Sequence, residues 1–294
     1  MRLTVTEKGR SESFVPNHRP TIEIGEQKTL SNLEKLIRNP TRYLPLLLRS
    51  TLQPLCHVFK SSAFFMQGQM DISPRARWHN PSFTALTGGF YPPNDATKRE
   101  IRYASPYDST RRDMLVLLLR TIVTNEIPGS FAELGVYKGH TASLFHHYAP
   151  ERQLHLFDTF NGFTERSISQ ETQHTGVSYR ATEFSDTSLD AVKQYINSVN
   201  NNIHYHQGFF PDSIPLSLAG ESFAFVHLDA DLYEPTRGGL EFFYSRMAKR
   251  GIIVVHDYNS WPGARSAVDE FFADKAETPI PMPDKSGSAL IIKQ

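Results

Sequence analysis

Ser130–Ala149 reads SFAELGVYKGHTASLFHHYA, and the fold follows from how that stretch divides. SFAELGV has the composition of a buried strand, HTASLFHHYA that of a helix, and between them Gly135 and Gly139 mark a turn where the backbone can approach a ligand closely. The spacing is not G-x-G-x-x-G, which disfavours a dinucleotide, and no P-loop follows. Working outward, RDMLVLLLRTIV upstream reads as a buried helix. Downstream come QLHLFDTF (strand), SLDAVKQYINSV (helix), NIHYHQG (strand), FAFVHLD (strand) and RGGLEFFYSRMA (helix). RGIIVVHDY (strand), ARSAVDEFFADK (helix) and a terminal strand SALIIKQ complete the series. This alternation predicts an α/β fold with a doubly wound, mostly parallel sheet.

In such sheets ligands bind beyond the carboxyl ends of the strands. Glu133, the Gly135–Gly139 loop, Asp158, Gly208, Asp229, Asp231, His256 and Asp257 all fall at or just after predicted strand ends, so they are expected to share one crevice. Asp158 lies 23 residues beyond Gly135, where a carboxylate can accept hydrogen bonds from ribose hydroxyls. A nucleoside cofactor without a critical phosphate is implied. Phe223–Tyr233, FAFVHLDADLY, runs an apolar strand into two carboxylates that a core would not accept unpaired. Asp231 follows Asp229 by two residues and shares its face if the strand persists.

Six ordered segments, FAELGVYKGHTA, LFDTFNGF, FSDTSLDAV, GFFPDSIP, VHLDADLYEPT and VVHDY, together resemble the macrocin O-methyltransferase family of S-adenosylmethionine- and metal-dependent sugar methylases. The resemblance runs from about Gly88 to Gln294. It implies a class I, Rossmann-like methyltransferase domain over residues 86–294, with SALIIKQ as its last, antiparallel strand. It also implies that Glu133, Gly135 and Tyr137 line the methionine part of the cofactor, Asp158 the ribose, and Asp186 with its neighbours the adenine. Gly139, Phe160 and Gly208 complete the expected cofactor set. Asp229 and the His256–Asp257 pair are the expected metal ligands. The family often carries a second Asp where this chain has His256, and an imidazole shifts preference from Mg²⁺ toward Mn²⁺, Fe²⁺ or Zn²⁺. A hydrogen-bonded core histidine is the other reading of that position.

Asp231 is the expected base. A sugar hydroxyl near ~15.7 and a free Asp near ~3.9 differ by ~12 units, or ~16 kcal/mol, too much for a carboxylate alone. A cation that brings the hydroxyl toward ~7 leaves ~3 units, or ~4 kcal/mol. Chelation of two neighbouring oxygens favours acceptors with vicinal hydroxyls, on a sugar or a catechol, in a small molecule or glycoconjugate. Two other readings stay open: a metal-dependent glycosyltransferase using the Asp-x-Asp pair, and a non-catalytic binding protein on a methyltransferase scaffold.

Lys plus Arg equals Asp plus Glu at 31 each, which gives no argument for a nucleic-acid partner. The one cysteine, Cys56, excludes an intrachain disulfide and fits a reducing compartment. No apolar run approaches the roughly eighteen residues of a transmembrane helix and no signal-peptide core is present, so a cytoplasmic location is expected. Residues 1–85 are expected to form a largely helical extension or cap, polar up to about residue 27. A capping box at Ser31 and Glu34 follows, then a basic, proline-interrupted stretch from Lys28 to Lys60. That extension is the expected assembly surface of a homo-oligomer, and its apolar, aromatic character suits a bulky, partly apolar substrate. The stretch from Trp78 to Pro93 suits a loop over a pocket. Arg111 and Arg112 are read as a solvated helix face, and the pairs His146/His147 and His204/His206 as solvated or core residues. His140 opens the helix after the glycine loop.

Overall fold

The computed structural model describes residues 104–105, 108–198 and 201–294. Expectations for residues 1–85, Cys56, the basic stretch and the Trp78–Pro93 loop lie outside the described residues. Seven strands form one sheet: β1 (Ser130–Leu134), β2 (Leu154–Asp158), β3 (Ile203–Gln207), β4 (Phe223–Leu228), β5 (Met247–Val255), β6 (Ile280–Pro281) and β7 (Ala289–Ile292). Their order is β3-β2-β1-β4-β5-β7-β6. β1 to β5 pair in parallel, and β7 runs antiparallel to both β5 and β6. The chain reverses direction across the sheet at β1/β4, which puts the binding crevice above those two strand ends.

Among the described residues six α-helices cover the faces: α1 (Ser109–Thr124), α2 (His140–Tyr148), α3 (Glu165–Thr175), α4 (Leu189–Ile196), α5 (Tyr233–Tyr244) and α6 (Pro262–Phe272). On one face Leu115, Leu119 and Ile122 of α1 join Leu144 and Phe145 of α2 and Val192 of α4 against Phe131, Phe225 and Val254. On the other, Leu240 and Phe243 of α5 and Val268 and Phe272 of α6 pack on Leu134, Leu228 and Val255. The central strands thus sit between two apolar layers, which is why they read as near-continuous apolar runs.

Two local readings are corrected. The helix expected through Ala248 ends at Tyr244, and β5 begins at Met247. The Phe223 amide donates to the Arg246 carbonyl at 2.9 Å and Met247 pairs with Phe223, so the ladder captures residues that propensity alone would leave helical. The second is α3, where the sequence reading places no helix. Its segment ERSISQETQHT is polar and buries little beyond Ser167 and Glu171, so it has no apolar period to detect. A reciprocal Thr164–Ser167 capping box starts it, and Gly176, in the left-handed region at φ 75°, stops it. Among the described residues no helix is long and apolar enough to cross a membrane.

Candidate active site

The strand ends continue one residue into the crevice. Asp229 N–H donates to Leu134 O at 2.8 Å, His256 N–H to Leu228 O at 2.8 Å, and Gly135 N–H to Phe157 O at 2.9 Å. Gly135 has φ 86°, and a Cβ there would lie 2.0 Å from the Asp229 carbonyl oxygen, so the β1 turn and the β4 end fit only because this residue is glycine. The crevice opens into a cavity of about 640 Å³ whose wall includes Glu133, Gly135, Tyr137, Asp158, Gly208, Asp229, Asp231, His256 and Asp257. Nine of the twelve residues picked from the sequence therefore meet in one place.

Gly139, Phe160 and Asp186 do not form part of that wall. Gly139, at φ 77°, caps α2, and a Cβ there would meet Val192 of α4 at 3.0 Å, so it serves helix packing. Phe160 is buried and contributes its amide, which donates to Asp158 Oδ1 at 2.7 Å. Asp186 is largely exposed, and its carboxylate accepts from the Tyr137 hydroxyl at 2.5 Å and Lys138 Nζ at 2.6 Å. It braces the loop from outside.

Asp158 also holds the loop. Its Oδ2 accepts from the amides of Val136 at 2.7 Å and Tyr137 at 2.8 Å. With the Phe160 amide on Oδ1, three of roughly four lone-pair directions are taken; the Thr159 hydroxyl lies 3.4 Å from the same Oδ1 but gives its proton to the Gly162 carbonyl at 2.7 Å, which leaves room for about one further strong bond.

The three residues expected to hold a metal come from two neighbouring strand ends. Asp229 Oδ1 lies 2.7 Å from His256 Nδ1, which lies 2.9 Å from Asp257 Oδ2. One ligand atom from each of the three can fall within 4.8 Å of the others, a spacing that suits a single divalent cation. Burial works against a charged imidazole at His256, but Asp229 and the bonds to Asp229 and Asp257 outweigh it and raise His256 to about 9. Burial likewise opposes charge on Asp229 and Asp257, and the cations beside them hold both below the usual carboxylate range.

Asp231 reaches the trio by another route than expected. β4 ends at Leu228, and Asp231 sits in a turn at φ 61°, with Asp257 likewise at φ 60°. Two non-glycine residues in the left-handed region, side by side, are strained positions of the sort found at functional sites. Burial, the charge of Asp229 and a hydrogen bond shared with Asp257 push the Asp231 carboxyl well above the ordinary range.

Arg111 and His227 were not legible as site residues. Rather than facing solvent, Arg111 points from the first turn of α1 into the crevice, where its Nη2 donates to Asp229 Oδ2 at 2.6 Å and reaches His227 Nε2 at 3.2 Å. Since a guanidinium only donates, His227 Nε2 must accept, so the proton sits on Nδ1 and is donated to Glu133 Oε1 at 3.0 Å. Burial drives His227 down to about 3, which keeps it neutral. Arg112, the other expected surface residue, is buried with its Nε on Asp113 at 2.8 Å. The alternation of strand side chains accounts for the group: Glu133 and His227 are register partners, and His256 follows Ile252 and Val254 at two-residue steps.

Glu133 is the second buried acid, raised by burial and by the charge on Asp229. Its Oε2 is buried without a hydrogen bond among the described residues, and the Ala142 amide exerts only the weakest pull on the carboxyl. An orphaned carboxylate oxygen in a cavity wall fits a cationic donor such as the ammonium group of an amino acid.

The family model for macrocin-O-methyltransferase matches residues 106–290. A curated relative, 8-demethyl-8-(2,3-dimethoxy-alpha-L-rhamnosyl)-tetracenomycin-C 4'-O-methyltransferase of Streptomyces olivaceus, is 26% identical over 174 residues, 55% of this chain and 64% of that protein. Demethyldecarbamoylnovobiocin O-methyltransferase of Streptomyces niveus is 25% identical over 164 residues, 52% of this chain and 61% of that protein. The chain thus spans less than two thirds of the length of both relatives. Among solved structures, the O-methyltransferase NovP aligns with TM-score 0.56 at 22% identity, covering 68% of this chain and 90% of that one. The calicheamicin methyltransferase CalS11 aligns with TM-score 0.55 at 17% identity, covering 80% and 91%. Both share the class I methyltransferase fold described above. With its family model matched across residues 106–290, the chain belongs to the macrocin-O-methyltransferase family.

Proposed function

We propose that the protein is an O-methyltransferase that moves a methyl group from S-adenosylmethionine to a hydroxyl of a sugar or glycosylated small molecule, with a divalent cation held by Asp229, His256 and Asp257. The observation that carries this reading is one cavity holding both halves of the chemistry: the glycine turn with the orphaned Glu133 oxygen, and the acid trio with Asp231 hydrogen-bonded to Asp257. When bound, S-adenosylmethionine supplies a methyl group on a sulfonium sulfur, and the cation makes the acceptor hydroxyl more acidic.

The chain's own residues do the rest. Glu133, fixed by His227, receives the ammonium end of the methionine part, and Gly135 lets the backbone lie against it. Asp158 organises the loop through three amides and offers its remaining lone pair to the ribose. Asp231 takes the hydroxyl proton, and its upward shift narrows from the protein's side the gap between carboxylate and alcohol. Arg111 holds Asp229 Oδ2, so that Oδ1 faces His256. Positioning of the two reactants in one cavity supplies much of the rate. The relatives' names point to glycosylated acceptors, since one is a methyltransferase of a rhamnosyl-tetracenomycin.

The glycosyltransferase reading has no comparable support, because a sugar-nucleotide diphosphate needs neither the glycine turn nor Asp158. Incubation with methyl-labelled S-adenosylmethionine and a panel of glycosides, with and without a chelator, tests the proposal. Label in the glycoside fraction, lost with chelator and restored by Mg²⁺ or Mn²⁺, is the expected result. Tight binding of UDP-sugars with none of S-adenosylhomocysteine would overturn it.

A further inference from the structure

α3 contributes no residue to either core cluster, yet it buries one carboxylate: Glu171 is 1% exposed. That carboxylate stands at the starts of two helices that lack caps of their own. The N-cap positions of α5 and α6 are Leu232 and Trp261, and neither makes a side-chain capping bond. At α5, Glu171 Oε2 accepts from the Tyr233 amide at 2.8 Å. At α6, a Cβ on Gly263 would lie 2.2 Å from Oε2 and 2.5 Å from Oε1, so the carboxylate occupies the space that a side chain in that first turn would take. It meets the partial positive charge of both helix starts. Oε1 is buried without a hydrogen bond among the described residues, a cost that an apolar side chain of similar size would avoid. What the carboxylate adds is a fixed geometry between α5 and α6.

Each of these helix starts closes a turn that carries an acid of the site. Asp231 stands directly before Leu232 and Tyr233, where α5 begins. Asp257 accepts the Trp261 N–H on its carbonyl at 2.9 Å and the Ser260 hydroxyl on Oδ1 at 2.7 Å, immediately before α6. Asp231 and Asp257 have φ 61° and 60°, and such positions persist only where the surroundings over-determine them. We propose that Glu171 is a positioning residue: by tying the first turns of α5 and α6 to each other it fixes the two strained turns, and with them the placing of Asp231 and Asp257 in the site. This rests on the metal-dependent methyltransferase reading above. Glu171 acts through the backbone of α5 and α6. The turn proposed to receive the cofactor follows β1 and is held by Asp158 at the end of β2, so that half of the site does not depend on Glu171.

The test is calorimetric titration of the full chain with S-adenosylhomocysteine, followed by titration of the saturated protein with Mn²⁺. Glu171→Ala should weaken Mn²⁺ binding about tenfold, the low end for residues that orient metal ligands, and leave S-adenosylhomocysteine affinity within about twofold of wild type. Glu171→Gln keeps an oxygen for the Tyr233 amide and should stay within about threefold of wild type for Mn²⁺. Gly263→Ala displaces the carboxylate from the other side and should match Glu171→Ala. The double variant should be no weaker than Glu171→Ala, because the added methyl group then has room. Phe271→Leu, at the far end of α6, is the stability control: it should lower the melting temperature and leave Mn²⁺ affinity unchanged. Outer contacts keep the three helices together in these variants, since the Tyr233 hydroxyl donates to Glu270 at 2.6 Å and its ring stacks on His174 at 3.6 Å. If Glu171→Ala does not fold, Gly263→Ala decides. Mn²⁺ affinity unmoved in both variants, an equal loss in Phe271→Leu, or a parallel loss of S-adenosylhomocysteine affinity would each overturn the positioning role. A wild type that binds S-adenosylhomocysteine but no Mn²⁺ is a different result: it removes the metal reading, and the positioning role falls with it. Failure to bind S-adenosylhomocysteine removes the methyltransferase reading itself.

Discussion

Replacing Asp158 by Ala separates the job the structure shows for this carboxylate, holding the loop, from the one proposed for it, receiving the ribose. The side chain accepts from the amides of Val136, Tyr137 and Phe160 at 2.7–2.8 Å, and Val136 and Phe160 are buried. A hydrogen bond to a charged group contributes about 1.5–3 kcal/mol, and a buried donor left unpaired costs about 1–3 kcal/mol. Water from the adjoining cavity can reach part of the hole, so the expected loss of stability is about 2–3 kcal/mol, well below the sum over three donors. The ribose loses the one remaining lone pair, which is a further ~2 kcal/mol, or roughly 30-fold in cofactor affinity. Asp158→Asn is no rescue, because loop amides donate to both carboxylate oxygens and the N–H₂ would face at least one of them whichever way it turned. Titration calorimetry with S-adenosylhomocysteine and a melting curve for each variant check both parts. A cofactor affinity within twofold of wild type, in a variant that melts several degrees lower, would mean that Asp158 only braces the loop and touches no cofactor.

The remaining predictions concern the acids, the turn and acid stability. Asp229→Ala should abolish both turnover and stoichiometric Mn²⁺ binding, whereas Asp231→Asn should remove turnover and leave metal and cofactor affinity nearly intact; an Asp231→Asn variant retaining most of its kcat ends the base assignment. His256→Asp should move the Mg²⁺ to Mn²⁺ activity ratio toward Mg²⁺, and an identical ratio in both forms takes the imidazole out of the coordination sphere. Gly135→Ala must place a Cβ 2.0 Å from the Asp229 carbonyl at φ 86°, so it should cost at least about 2 kcal/mol of stability and displace Asp229. A variant with unchanged melting temperature and metal affinity would contradict that fit. Finally, burial lowers His155 to about 3 and His206 to about 4, with His204 stacked on His155 and adding to both shifts. An unfolded histidine near ~6.5 binds protons that these two refuse, so stability is intact above pH ~6.5 and falls as the pH drops toward 4. The slope is at most ~1.4 kcal/mol per unit for each histidine, and less for the half-exposed His206. Denaturant melts across that range should give a shallower slope for His155→Gln, and an unchanged slope would remove His155 as a source.

The sequence alone determined what depends on neighbours along the chain. Strand–glycine turn–helix order, the burial of the central strands and the acids at strand ends follow from composition at short range, and they carry the parallel sheet and the crevice with them. Asp229, His256 and Asp257 were legible because strand C-termini in such a sheet must converge. Only the tertiary structure decided which neighbours across the chain complete the site. Arg111 looks like any basic residue in a first helical turn, and only the docking of α1 over β1 and β4 turns it onto Asp229. His227 looks like an interior strand residue until the register with Glu133 shows its two partners. α3 carries no apolar period, so nothing in its sequence announces it, yet its Glu171 accepts the Tyr233 amide at 2.8 Å and fixes the start of α5 directly after Asp231. Gly139, Phe160 and Asp186 fit the sequence pattern of cofactor contacts, and only packing shows that each also belongs to the loop's frame. The physical reason is the same in each case: periodicity reports which face a side chain takes within its own element, whereas partners at a separation of a hundred residues depend on register and docking, which are set by the packing of the whole sheet.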